Sequence, residues 1–417
     1  MRSRSNKRIV LLGSLYLSQG LPYGFFTQAL PVLLREKDYS LEAIGLTSLL
    51  AIPWALKFLW APLVDRVHSA TLGRRRSWIL PLQAGTTALL CAAALMPHPA
   101  DLDLLLVGVF LVNLLSATQD IATDGLAVDI LSPKERGIGN GVQVAGYRLG
   151  MIIGGGALLI AYDHVGWMGS FMLMAAIVAV AAAPVANYRE ASPARSESSV
   201  TASVWGFFSQ PGRASLLALI AIYKFGEHFA TGMLRPLLSD IGYSMADIGW
   251  ILGTAGFLAG MLGALLGGAL VNRIGRRSAL TWFALVQTGA VAGYVLIPSN
   301  GLPVWAVYGI CGVEHLASGM ATAALFTCMM DWCRPKSGAT DYTFQASLVV
   351  SASGFAASLS GVSAGSLGYE AHFTAATLVT ATAVAAAHFL FPRSNATDQT
   401  HGQTEDFAGH RVRETIT

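Results

Sequence analysis

Apolar residues run along this chain in blocks of about twenty, the length at which a helix crosses a ~30 Å hydrocarbon core, with short polar breaks between them. The pattern predicts twelve helices, at about 9–34, 41–63, 77–96, 104–131, 138–160, 167–186, 214–238, 248–270, 278–297, 303–330, 341–366 and 373–391. The one long connection, 187–213, is rich in Ser, Ala and Arg and divides the blocks six and six. The expectation is an all-α membrane protein of twelve transmembrane helices in two pseudo-symmetric six-helix bundles. Residues 1–186 and 214–391 form the bundles, 187–213 the cytoplasmic linker and 392–417 a polar cytoplasmic tail, in which His401 and His410 have no metal-ligand spacing. The first block continues from Ile9 through Pro22 and Phe26 to Leu34 without a small-residue cleavage site, so it reads as a retained helix and not a signal peptide.

The halves repeat. At an offset of 204, Leu33, Leu34, Glu36, Tyr39 and Ser40 match Leu237, Leu238, Asp240, Tyr243 and Ser244. At 202, Ser116, Asp129, Pro133, Lys134 and Gln143 match Ser318, Asp331, Pro335, Lys336 and Gln345. Parallel duplication of this kind is a layout of secondary transporters, whose site lies between the halves near the bilayer midplane.

Composition agrees: 53% of the residues are hydrophobic and 12% charged. The net charge of +3 is no nucleic-acid signal, because the basic residues follow topology. With the amino terminus inside, 21 of the 27 Lys and Arg fall in cytoplasmic segments, which places both termini in the cytoplasm. Cys91, Cys311, Cys328 and Cys333 show no metal spacing and read as small buried residues, and no residues are assigned to a metal.

Two loops match each other. After the second block come Asp65-Arg66 and, seven residues on, Gly73-Arg74-Arg75-Arg76; after the eighth come Gly268, Leu270, Asn272-Arg273 and Gly275-Arg276-Arg277. They resemble the G-x-L-x-D-R-x-G-R-R loop of the major facilitator superfamily, the first with about six inserted residues and the second with Asn272 for the usual Asp. An acid at a helix end can cap a neighbouring helix or hold an arginine, so both loops read as a conformational latch. Within that superfamily the stretches Leu15–Pro22, Lys57–Arg66, Gly73–Trp78, Ser116–Asp120 and Gly146–Gly150 are similar to the AmpG-like branch. That branch holds muropeptide permeases, acetyl-CoA transporters and shorter permeases of the RhtX/FptX type. The resemblance implies import across a bacterial cytoplasmic membrane, and the length of 417 residues favours the RhtX/FptX type and hence a siderophore or its iron complex. A muropeptide, or an acetyl-CoA-type substrate, is the alternative.

Charges within apolar blocks are costly and usually face a cavity, paired. Asp120 lies ~15 Å from the end of its helix, and Arg148 is at about that depth on the next one. Asp124 shares a face with Asp120, four residues away. Lys57, Lys224, Glu227, His228, Glu314 and His315 complete the candidates for proton and substrate binding. Bracing pairs, Asp120–Arg148 or Asp124–Lys57, are the competing reading. Against it, the midplane charges are not repeated: Asp120, Asp124 and Arg148 map to Thr322, Phe326 and Val350. The glycines at 154–156, from 253 to 268 and at 361 and 365 read as close helix contacts. Trp54, Trp60, Tyr147 and Trp250 read as interface anchors or stacking platforms. Without H-E-x-x-H, a nucleophile elbow or an ATP loop, an intramembrane enzyme is disfavoured. The expectation is a monomeric proton-driven transporter, without cofactor or nucleic-acid partner, that takes a small-molecule substrate within the lipid bilayer.

Overall fold

A computed structural model describes residues 2–36, 47–69, 71–96, 102–190, 200–298 and 301–392. Among them the secondary structure is helical, without a strand. The helices of the two bundles are α1 (2–36), α2 (47–66), α3 (Arg76–Leu95), α4 (Leu102–Ile130), α5 (136–165), α6 (167–186), α7 (213–240), α8 (Met245–Ile274), α9 (Arg276–Leu296), α10 (Val304–Asp331), α11 (Gly338–Leu367) and α12 (Tyr369–Phe389). Among the described residues seven helical stretches are long and apolar enough to cross a membrane. One of these covers 136–186 and is two rods, because Gly166, at φ 64°, leaves the helical region and turns α5 into α6. The apolar part of α2 is only Leu49–Leu59, and α7 is broken at Lys224 and again before Leu234.

The expected linker is not featureless: it carries a short helix, Val200–Phe208. Residues 41–46 of the expected second block, 191–199 of the linker and 393–417 of the tail, with His401 and His410, lie outside the described residues.

Within each half the helices pack as the repeat requires: α1 lies on α5 as α7 does on α11, α3 on α4 and α6 as α9 does on α10 and α12, and α2 on α4 as α8 does on α10. The halves meet where α5 crosses α8 and α10, and where α11 crosses α2 and α4. The buried clusters show which end is shut. Leu12, Tyr16, Ala127 and Leu131 of the first half share one cluster with Leu280, Phe283, Cys328 and Met329 of the second, toward the arginine-rich end. Toward the other end two clusters stand apart. One draws on Leu21 to Val178 and the other on Phe229 to Ala376. Burial across the seam is therefore concentrated at the arginine-rich end, where its apolar area stabilises the closed arrangement.

Candidate functional site: polar groups between the two bundles

At the arginine-rich end, α2 finishes on Asp65, whose carboxylate reaches the start of α11. It accepts from the Thr340 backbone N–H at 2.7 Å and from the Thr340 hydroxyl at 2.6 Å. That N–H belongs to the first turn of α11 and has no partner within its own helix. Arg74 and Arg75 reach the other oxygen at 2.7 and 2.8 Å. Burial pushes the Asp65 carboxyl up, but the two arginines and the Thr340 bonds outweigh it and hold it below the usual carboxylate range. Arg75 is itself buried, and its Nε donates to Asp129 at 2.8 Å.

The second loop repeats the arrangement with one change. Arg276 donates to Asp331 at 2.6 Å, and Arg136 from the first half donates to the same carboxylate at 2.7 Å. Asn272, lacking a charge, gives its Nδ2–H to the Lys134 carbonyl at 2.7 Å instead of capping a helix. Gly73 and Gly275, at φ 97° and 84°, make the turns that deliver these arginines. Arg76 holds the carbonyls of Val185 and Ala186 at the end of α6, and Arg277 holds that of His388 at the end of α12. The guanidinium groups of Arg66 and Arg273 have no hydrogen bond or ion pair among the described residues. Glu190 was hidden in the polar linker. Its carboxylate accepts the backbone N–H groups of Arg75 and Arg76 at 3.0 and 2.7 Å, and so caps α3.

Deeper in, the expected bracing pairs are not the ones formed. Lys57 pairs with Asp120, because α2 leans on α4 at that depth; neither Asp124–Lys57 nor Asp120–Arg148 is an ion pair. Asp124 instead accepts from the Tyr16 hydroxyl at 2.7 Å and the Gln143 amide at 3.2 Å. Trp54 lies 5.6 Å from the Lys57 ammonium and packs edge-on to Tyr23 and Tyr147. Trp60 donates to Thr118, while Trp250 is exposed.

In the second half Lys224 occupies the break in α7. It pairs with Glu227 and donates to Thr322 at 3.0 Å. Thr322 is the counterpart of Asp120, so each half presents a lysine to the same point of its α4 or α10, though from helices that do not correspond. The asymmetry expected from the unrepeated charges is therefore smaller in space than along the chain. Ser318 donates to Glu227 at 2.6 Å. Glu314 accepts from Gln287 at 3.1 Å and Tyr294 at 2.9 Å, with His315 Nδ1 3.1 Å away. His228 sits beside Lys224, its Nδ1 2.9 Å from the Lys224 carbonyl. Among the described residues no group of three or more His, Cys, Asp or Glu is placed to hold a metal. Tyr16, Gln143, Tyr294 and Gln287 escape sequence reading because their partners lie on other helices at no fixed spacing.

Arg148 stands on the seam. It has no hydrogen bond or ion pair among the described residues, and its Nη1 is buried without a partner. The guanidinium fills the space in front of Gly260 on α8. The glycine expectation holds at Gly154, Gly263 and Gly267, whose neighbours are the backbones of other helices, but Gly253 and Gly365 face open space.

The model of the Major Facilitator Superfamily matches residues 12–340. The chain is 30% identical over 355 residues to the anhydromuropeptide permease of Escherichia coli strain K12, covering 84% of this chain and 72% of that one. A Haemophilus influenzae protein is 30% identical over 374 residues, covering 85% and 88%. A Rickettsia felis protein named as putative transporter AmpG 4 is 23% identical. Among solved structures, the human organic anion transporter MFSD10 superposes with a TM-score of 0.71 at 16% identity, over 92% of this chain and 99% of that one. The fucose transporter FucP in its outward conformation gives 0.67 at 14% identity, over 93% and 99%; at these identities the likeness concerns the fold.

Proposed function

The chain belongs to the major facilitator superfamily, as a multi-pass membrane transporter, and from that premise we propose that it imports a peptidoglycan fragment of the muropeptide class across a bacterial cytoplasmic membrane, driven by protons. The observation that carries this reading is the 30% identity to an anhydromuropeptide permease over 84% of the chain. It favours the muropeptide alternative over the siderophore. The siderophore expectation rested on chain length, which carries no weight beside 355 aligned residues.

The site's chemistry is consistent with such a cargo, an acylated sugar bearing a short acidic peptide. Aromatic faces at Trp54, Tyr23 and Tyr147 offer stacking, and Lys57, Arg148 and Lys224 offer positive charge. Asp124 is held by neutral donors and Glu314 by two neutral donors and His315, and neither pairs with a Lys or Arg, which makes them the candidates to carry the coupling proton. With the arginine-rich end cytoplasmic by the positive-inside rule, the closed seam corresponds to the outward-facing state, with the two loops as its latch. Uptake of a labelled anhydromuropeptide into proteoliposomes, with an imposed inward proton gradient, tests the reading. Accumulation is expected only with the gradient. Equal uptake without it would remove the coupling, and no uptake at all would remove the substrate class.

A further inference from the structure

Three cations lie in the membrane-spanning depth of the site, and two are already paired: Lys57 with Asp120, and Lys224 with Glu227. Arg148 is different. It belongs to α5 of the first half, yet its guanidinium is seated on α8 of the second half, in front of Gly260, where a Cβ would overlap it. One turn earlier on α8, Gly256 faces the Cδ2 and Nε2 edge of His315, whose Nδ1 is engaged by the Cys311 carbonyl at 2.9 Å and Glu314 at 3.1 Å. The charges of Glu227 and Glu314 act on Arg148, but both carboxylates have other partners: Lys224 and Ser318 for the first, Tyr294, Gln287 and His315 for the second. Arg148 is half-buried, and of its N–H donors those on Nη1 are buried without an acceptor, which is destabilising. The fold carries it across the seam and leaves its acceptor to come from elsewhere.

We propose that Arg148 is the receptor for a carboxylate of the transported molecule, and that Gly260 is the positioning residue that lets its planar fork lie against α8. This rests on the peptidoglycan-fragment reading and sharpens it: the carrier takes fragments whose peptide ends in free acid and discriminates against amidated ones. A two-pronged guanidinium–carboxylate pair is directional, so a lysine at 148 keeps the charge and loses the fork. Seated there, the carboxylate touches a residue of one half that rests on the other half. The cargo then supplies the counter-charge at the surface that has to slide when the bundles rock.

The test is a charge-swap comparison on the purified full chain. Binding of N-acetyl-alanyl-glutamate and of its diamide is measured by calorimetry for the parent, R148Q, R148K and G260A. The parent is expected to prefer the acid by on the order of ten- to a hundredfold, the range of a charge-assisted hydrogen-bonded pair. R148Q is expected to bind the two alike, and R148K to fall between. G260A, with its arginine intact but displaced, is expected to lose most of the preference. If R148Q does not elute as a folded species, R148K and G260A carry the comparison. Retention of the acid preference in R148Q or in G260A, or no preference in the parent, overturns the assignment. A parent that prefers the acid but takes up no anhydromuropeptide leaves the carboxylate receptor standing and removes the substrate reading.

Discussion

Lys57 of α2 and Asp120 of α4 form an ion pair buried between their helices. Removing one member leaves the other charge unpaired in the interior, at a cost of about 3–5 kcal/mol. D120N should therefore lower the thermal unfolding temperature in detergent, while the double variant K57M/D120L should recover most of it. Uptake should stay lost in both, because the polar surface offered to the cargo is gone. Recovery of uptake in the double variant would return the pair to a bracing role. What could be read in advance was depth, since a helix rises by a fixed amount per residue. Azimuth could not be read, and azimuth decided that Asp124 meets Tyr16 and that Arg148 faces Gly260. Glu190 was invisible for another reason: a lone acid in a polar linker becomes a helix cap only once α3 begins beside it.

Among the elements, block lengths and the six-plus-six division were plain in the sequence because each helix must bury or expose its own apolar length. The breaks were not. Lys224 ends the first segment of α7, and the wide turns at Phe25–Ala29, Ile153–Ala157 and Gly249–Ala255 interrupt α1, α5 and α8 without a proline within them. Interruptions of this sort cluster at functional positions in membrane helices. The glycine pattern divides in the same way. At Gly263, α8 lies so close to the backbone of Leu316 on α10 that a side chain cannot fit, whereas Gly253 has nothing near it. G263V should destabilise the second half by about 1–3 kcal/mol through overpacking, and G253A should be nearly neutral. Thermal unfolding of the two variants, measured side by side, checks the distinction; equal effects would show that α8 and α10 do not pack this closely.

For the whole molecule, the ties that cross the seam gather at one end: Asp65 to Thr340, Arg136 to Asp331, Arg276 to the Pro133 carbonyl and Asn272 to the Lys134 carbonyl. D331N loosens two arginines at once and should lengthen spin-label distances across the arginine-rich loops; unchanged distances would show that these ties do not hold the closed state. Acid should act in the same direction. The Asp65 carboxyl is held below its ordinary value, so its contribution to closure is complete above the usual aspartate range near ~4 and fades as pH falls through the lowered value. The linker helix adds a fastening of a different kind at this end. Phe207 stacks on Phe344 of α11 at 5.6 Å, Phe208 meets the same ring at 5.7 Å, and Phe58 of α2 touches it at 5.9 Å. Ion pairs are screened by salt, most strongly where they are exposed, while ring contacts strengthen in salting-out salts and weaken on cooling. A closure built from both keeps part of its grip when either ionic strength or temperature changes, so the closed arrangement is buffered against its surroundings.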